Sequence, residues 1–509
     1  MRGEPRVPAE ICALWLCGAR APETERIAAA LRLLIATSEH ARERWPRIFG
    51  KLAGARIICP AAQAPPEALV KAAEAAGCAL SIIDGPADLL LAQCDLAIVE
   101  SSADLSRAGL LPALIVPATA DPIFWFDKGR SHPLAATARR NDEPLSSVTP
   151  EAIASAALAP PRGRHEALGL ADYLAEDSEV NVDRHGYDML LWMIGRRADV
   201  AGRPDNSWER ARAVAKLARP DALGAVEALR AAHARADALA IAFGKRWRSM
   251  LVARSFLLLL ANICSGLLGT LFPSLSVATI PIQAAVTVLI FFDERHAARS
   301  QWRAKWIEYR RLAETLRARR FLALCGVAPA RDVETDWVEW ISRRAVRAAA
   351  PFDALAEAAA PAVIAHLAEV EIGEQIAYHG DAFRRFRQLD RRIRRAAVIA
   401  LCAFVALAAA LAVLPLAHFN FISVSFTSAI SLAFMAAPTL YATLNSVRRN
   451  LDVVRQAARS AEIATDLKRL AGALASAPAT AETARAAGLR AAEIMRNDVS
   501  SWHGVVEVL

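Results

Sequence analysis

Residues 255–272 read SFLLLLANICSGLLGTLF and residues 275–292 read LSVATIPIQAAVTVLIFF, with two residues between them. Neither run contains a charge, and each is close to the minimum length that crosses a hydrocarbon core of about 30 Å. A second pair of apolar runs covers residues 396–416 and 422–444. A buried core helix explains one such run, but four uncharged runs in two close pairs predict four transmembrane helices in two hairpins.

Basic residues lie beside the apolar runs and not at the hairpin tips. Seven arginines occur between residues 384 and 395, directly before the third run, and neither tip carries a lysine or arginine. By the positive-inside rule, both termini and the region between the hairpins are predicted to be cytoplasmic. The arginines are also placed to bind anionic lipid headgroups, so the bilayer is a predicted partner.

The first 121 residues alternate short apolar runs with helical ones. Five strands are predicted, at 11–17, 55–59, 78–83, 95–99 and 112–116. Three helices are predicted between them, at 23–37, 66–76 and 87–93. Because continuous apolar strands that alternate with helices form parallel sheets covered on both faces, residues 1–121 are predicted to be an α/β, Rossmann-like domain.

The rest of the chain divides by composition. Residues 122–204 hold Pro, Gly and charge clusters and are predicted to be a connector. An all-α membrane region follows, with a first two-span unit at 205–330, a second at 331–475 and a helical tail at 476–509. Between the hairpins, residues 293–324 are predicted to form one long, charged cytoplasmic helix.

That helix carries an aromatic and apolar seam at a spacing near 3.5 residues, formed by Trp302, Trp306, Tyr309, Ala313 and Leu316. A helix with such a seam must pack on another surface. The same helix in a second subunit is one candidate, which favours a homo-oligomer.

The composition argues against several function classes. The formal net charge is +8, but the arginines crowd beside the apolar runs, which favours a membrane surface over nucleic acid as the partner. The eight cysteines form no CxxC pair and no Cys/His cluster with zinc spacing, so we expect reduced thiols and no metal site. No GxxxxGKS/T, HExxH or GxSxG motif occurs. We therefore predict neither catalytic residues nor a cofactor.

Several motifs around the first hairpin form a recognisable pattern. Asp237-Ala-Leu-Ala240 and Arg246-Trp-Arg-Ser249 precede the hairpin, and Lys305-Trp-Ile-Glu-Tyr-Arg-Arg-Leu-Ala-Glu314 follows it. Trp337-Val-Glu-Trp340 and Glu374-Gln-Ile-Ala-Tyr-His379 come later. The stretch resembles the SLATT group, two-span membrane domains of bacteria that often accompany SLOG domains. The α/β region is similar to a SLOG domain, a Rossmann-like nucleotide-sensor fold.

The resemblance implies a role in a bacterial conflict or defence system. A nucleotide-derived signal bound by the sensor domain would trigger perforation or depolarisation of the membrane. It further implies a multi-pass protein of the bacterial inner membrane whose N- and C-termini are cytoplasmic.

The candidate ligand-binding residues lie where predicted strands end. Gly18 and Arg20 follow the first strand and could hold a phosphate, the glycine by close approach and the arginine by charge. Asp84 closes the third strand, and Glu100 and Ser101 close the fourth. Doubly wound sheets bind ligands beyond these ends. Plain turn chemistry is the alternative, and a purely structural α/β domain stays open because only Gly18 stands where such sensors carry a glycine-rich loop.

Polar residues interrupt the first hairpin on one predicted face. The predicted pore-lining residues are Asn262, Ser265, Ser276, Thr279, Gln283 and Thr287. Polar groups in hydrocarbon seek partners or water, so this face is expected to turn inward. It either lines a pore in an oligomer or holds helices together through small residues and hydrogen bonds.

These observations lead to three hypotheses. The first is a ligand-gated, oligomeric membrane effector that lets ions pass. The second is a membrane-anchored scaffold or regulator whose α/β domain recruits a partner protein. The third, a membrane-bound nucleotide-processing enzyme, is disfavoured by the missing phosphate loops.

Overall fold

The structure of the chain is a computed structural model. It describes residues 10–17, 22–46, 48–49, 54–100, 107–108, 111–116, 124–126, 143–144, 149–161, 163–176, 186–193, 206–271, 277, 279–328, 336–413 and 424–506.

The N-terminal region is built on one sheet with a parallel centre. Its strands are β1 (Ile11–Trp15), β2 (Ala55–Pro60), β3 (Ala79–Ile83), β4 (Leu96–Val99), β5 (Ala113–Ile115), β6 (Phe124–Phe126) and β7 (Glu143–Pro144). They are arranged in the order β3-β2-β1-β4-β5-β6-β7. The first five are parallel, and β6 and β7 add antiparallel to β5. The predicted α/β, Rossmann-like sheet is confirmed, and it continues into the predicted connector.

Helices cover both faces of this sheet. They are α1 (Thr24–Arg44), α2 (Glu67–Ala76) and α3 (Ala87–Ala92). Because side chains alternate along a strand, Ile11 and Trp15 of β1 enter the core that contains Leu31 of α1, while Leu14 enters a second core with Leu90 of α3. Burial on both faces explains why β1, β2, β4 and β5 are continuous apolar runs, whereas β3, at the edge of the sheet, is partly exposed.

The remainder of the described chain is mostly helical, as predicted. Its helices are α4 (Pro150–Ala157), α5 (Arg164–Ala175), α6 (Gly186–Met193), α7 (Ser207–Ala218), α8 (Leu223–Leu271), α9 (Thr279–Arg299), α10 (Trp302–Leu324), α11 (Trp337–Arg347), α12 (Ala360–His366), α13 (Gly373–Val413), α14 (Val424–Asn450), α15 (Val453–Ser476) and α16 (Ala481–Val506). A π-helical segment, Leu367–Ile372, joins α12 to α13.

Within the described residues, one helix is long and apolar enough to cross a membrane. It covers Pro220–Gly266, has a mean hydropathy of 1.5 over its most apolar window and contains most of the first predicted span. The predicted spans 275–292, 396–416 and 422–444 each lie partly outside the described residues. The four-span arrangement and the orientation of the termini therefore stay predictions.

The long helices form two units that follow the same path. In each unit a long helix pairs with a second helix, and a third packs back on the first; the units are α8–α9–α10 and α13–α14–α15. The break between the second and third helices has the same geometry in both. Gln301 has φ of 49° and Asp452 has φ of 48°, both in the left-handed region. The prediction of one helix over 293–324 was wrong, because the chain turns at Gln301.

This turn directs the predicted seam of α10 against the chain's own helices. Trp302, Tyr309 and Leu316 are buried, and α10 packs chiefly on α8 and α16. Trp306 lies over Gly244 of α8, where a Cβ would be 2.9 Å from the indole ring, so only glycine permits the approach. The seam is thus covered within one chain and does not need a second subunit.

The left-handed backbone at Gln301 gives a test of the turn. We expect Gln301→Gly to preserve stability and Gln301→Val to lower it, because a β-branched residue is strained at positive φ. The difference in free energy of unfolding between the two variants should be about 1–2 kcal/mol. Thermal unfolding of the solubilised full-length protein measures it. Equal midpoints for the two variants would show that the turn is not formed.

Candidate functional site

The predicted ligand-binding residues that the structure describes, Asp84 and Glu100, follow strands at the carboxyl edge of the sheet. β1 and β4 are neighbours there, at the point where the strand order reverses, which is where doubly wound sheets bind ligands. The Leu16 N–H donates to the Ile98 carbonyl at 2.8 Å, and the half-buried Glu100 follows directly after β4. Gly18, Arg20 and Ser101 lie outside the described residues.

Asp84 does not join Glu100. It ends β3, three strand positions from β4, so the two residues are separated by about 14 Å at the usual strand spacing. The Asp84 N–H donates to Asp353 Oδ1 at 2.7 Å, and its carbonyl accepts from the Ala354 N–H at 2.7 Å. The backbone of Asp84 is therefore hydrogen-bonded to the segment that follows α11 and is not part of a ligand site with Glu100.

The structure adds Arg107 to this edge. Its guanidinium Nη1 donates to the Leu16 carbonyl at 3.0 Å and so stands at the end of β1, beside the switch point. Arg107 could not be identified from sequence, because it lies in the connection after β4 and no sequence pattern indicates that its side chain contacts the end of β1. A cation at this position suits an anionic ligand.

At the opposite edge of the sheet, Asp95 joins the α/β domain to α11. Its side chain is buried at the start of β4 and accepts from the Cys12 N–H at 3.0 Å. Arg344 Nη1 donates to both carboxylate oxygens at 3.2 Å, and Arg347 Nη1 donates to Oδ1. Arg344 also donates to the Glu10 carbonyl at 3.0 Å. We call Asp95, Arg344 and Arg347 the latch.

A second connection runs along residues 348–355, here called the strap. The Gln93 side-chain amide binds both backbone groups of Phe352: its Oε1 accepts from the N–H at 2.8 Å, and its Nε2 donates to the carbonyl at 2.9 Å. Arg219 donates to the carbonyls of Asp353 at 2.7 Å and Leu324 at 2.9 Å. The strap thus ties α3 to the α7–α8 link and to the end of α10.

Charged side chains of α10 are paired inside the helical core. Glu314 is buried between Arg310 and Arg317, and His233 of α8 and His379 of α13 add positive potential when protonated. Burial by itself would raise the pKa of Glu314, but these cations outweigh it and lower the pKa from 4.5 to about 2.

A second buried ion pair lies further along α10, toward its C-terminus, between Arg320 and Glu371. Arg320 is fully buried and donates to Glu371 and, at 2.8 Å, to Ser207 Oγ. Glu371 also bonds His366 Nε2 at 3.1 Å. Residues five apart lie about 140° apart on an α-helix, and the wider π-helical turn brings His366 and Glu371 to one side. Burial would raise the pKa of Glu371, but Arg320 and His366 lower it.

A small cleft lies between α5 and α10, beside the turn at Gln301. Lys305 in it is 2.7 Å from Glu176 and 3.2 Å from Asp172, and Glu308 accepts from Trp337 Nε1 at 2.8 Å. Its free space is about 30 Å³, which suits a water molecule and not a nucleotide. No group of three metal-binding side chains occurs in the part of the chain that the structure describes.

Three of the predicted pore-lining residues lie on the outer side of the first hairpin. Asn262 and Gln283 are exposed, Ser265 and Thr279 are half-buried, and Thr287 is exposed. The remaining predicted residue, Ser276, lies outside the described residues. The structure therefore places Asn262, Gln283 and Thr287 on the surface of the single chain, whereas the Ser265 Oγ is buried without a hydrogen-bond partner among the described residues.

Comparison of the chain with protein-family models, curated proteins and solved structures finds no match.

The latch gives a quantitative test of domain docking. Asp95→Asn leaves Arg344 and Arg347 buried without a carboxylate, which should lower the free energy of unfolding by about 3 kcal/mol or more. Hydrogen exchange of α11 in the full-length protein should rise accordingly. Arg485→Gln is the matched control: it removes an ion pair with Asp88 that also joins the two regions but is exposed, and it should cost less than about 1 kcal/mol. Equal effects would show that the latch is not buried.

The lowered pKa of Glu314 predicts acid sensitivity. Because the folded-state pKa lies below the ordinary 4.5, ionised Glu314 stabilises the fold above pH 4.5, and this contribution is lost as the pH falls toward 2. The loss should be about 3 kcal/mol, and Glu314→Gln should flatten this part of the stability profile. Unfolding midpoints measured from pH 6 to pH 2 test this. Glu74→Gln, at an exposed position on α2, should keep the wild-type slope.

Proposed function

We propose that the chain is a membrane effector: its α/β domain senses a nucleotide-derived signal, and its hairpins then let ions cross the bilayer. The observation that carries the proposal is α8, a continuous helix of 49 residues. It runs from the cytoplasmic core, where the α/β domain is attached, into the first apolar run. A movement at its base therefore reaches the predicted span without an intervening joint.

The attachment supplies a path for the signal. The predicted ligand edge and the latch lie at opposite ends of β1 and β4, so a rotation of the sheet moves Asp95 relative to Arg344 and Arg347. The strap connects the same domain to Arg219, directly before α8. In this proposal docking holds the closed state, and the signal releases it.

The membrane setting rests on the apolar runs and their flanks. Four spans, with cytoplasmic termini and arginines against anionic headgroups, fit the charge pattern of the sequence. The inner membrane and the conflict role come from the resemblance to the SLOG and SLATT groups. Asn262, Ser265, Ser276, Thr279, Gln283 and Thr287 are the residues proposed to line the path.

A membrane-anchored scaffold is the alternative function. It is favoured by β3, a strand at the edge of the sheet that contains no charged residue and leaves Ile82 55% exposed. Such an edge can receive a strand from a partner protein.

Membrane potential in bacteria that express the full-length chain distinguishes these functions. Asp95→Asn should depolarise the cells without any signal, whereas Arg485→Gln should behave as wild type. Adding Gln283→Leu to Asp95→Asn should remove the depolarisation, and adding Val288→Leu on the same helix should not. All variants are checked for membrane insertion by alkaline extraction. If Asp95→Asn is inserted and the potential is unchanged, the effector proposal fails and the scaffold is favoured.

A further inference from the structure

Helix α9 lies on the outside of the described helix assembly. It packs mainly on α8, whereas α14 is held between α8 and α13. Its side chains are exposed around most of the helix: Ile280 is 67%, Leu289 62% and Phe292 62% exposed. Only a narrow line that includes Val286, Ile290 and Ala297 faces the rest of the chain.

Gln283 lies beside that line, about 60° around α9 from Val286, and Asn262 is exposed on α8; these exposed sides are here called the α8–α9 flank. Among the described residues, the Gln283 side-chain amide has no hydrogen-bond partner. Asn262 donates to the Leu258 carbonyl of its own helix at 2.9 Å, which leaves its side-chain oxygen unbonded within the described chain. Asn262 lies about 10 Å and Gln283 about 14 Å from the cytoplasmic end of its predicted span, so the two amides are at similar depth.

Contact between this flank and lipid hydrocarbon would be energetically unfavourable. An amide that faces lipid without a partner costs several kcal/mol, and Gln283 has two N–H donors and an acceptor to satisfy. The side chain is therefore covered by polar groups or by water. An amide both donates and accepts, so Gln283 complements the same residue of another copy, as a symmetric interface requires.

We propose that the α8–α9 flank faces second copies of this chain, with the Gln283 side chains grouped around a common axis. The proposal rests on the membrane insertion proposed above. Subunit contacts are then made by α9 of the first unit. Asn262, Gln283 and Thr287, which lie on the surface of the single chain, face inward only in the assembly.

Disulfide cross-linking in native membranes tests the proposal. Cys264→Ala and Cys402→Ala give the full-length chain a background without half-buried or exposed thiols. Gln283→Cys then places a thiol on the proposed interface. Val288→Cys is the control, because Val288 is 50% exposed and lies about 140° around the helix from Gln283. After mild oxidation, Gln283→Cys should shift to the mass of a dimer and Val288→Cys should remain a monomer.

Each other outcome contradicts the proposal in a distinct way. Equal cross-linking at both positions would indicate random collision. No cross-linking of inserted protein would show that α9 faces lipid; depolarisation by Asp95→Asn would then still support the effector function, with its path elsewhere. A chain that alkaline extraction releases from the membrane would contradict the proposed function as well. A second readout is the size of the native complex in mild detergent, which Gln283→Leu should reduce and Val288→Leu should not.

Discussion

A buried carboxylate determines how the two halves of the molecule are joined. Burial of the Asp95 carboxylate is costly unless cations pair with it, and both Arg344 and Arg347 come from one turn of α11. The geometry of the sheet's amino edge is therefore fixed to the geometry of that helix. The apolar core follows the same connection, since Phe49 packs against Trp340 and one contiguous core extends from α1 to α10.

Helix α10 is likewise joined to its neighbours by ion pairs, here with several helices. Its charged residues point into the protein, and each level finds partners on a different neighbour: α5 at Lys305, α8 at Arg310 and the π-helical segment at Arg320. Buried ion pairs of this kind favour one packing arrangement, because an alternative register would leave the charges without their partners. Side chains that a helical wheel places on a solvated face thus set the alignment of four helices.

The fold could be predicted from sequence where periodicity alone decides it. All five parallel strands match their apolar runs, and in β1, β2, β4 and β5 burial on both faces leaves a pattern that can be recognised from the strand alone. Gln301 could not be predicted, since a left-handed residue other than glycine or asparagine has no sequence mark. The latch and Arg107 were missed for a related reason: each depends on residues that are far apart in sequence. Of the candidate ligand residues, only Glu100 is placed at the switch point among the described positions.

The matching turns at Gln301 and Asp452 have a consequence for stoichiometry. Two units with the same path, fused in one chain, are always present in equal numbers, so any assembly contains an even count of them. The units are not interchangeable, because Gln283 and Asn262 belong to the first, and the second keeps its middle helix, α14, packed against α8. An assembly that brings α9 of each chain to its axis therefore leaves α14, which is covered by α8 and α13, away from that axis.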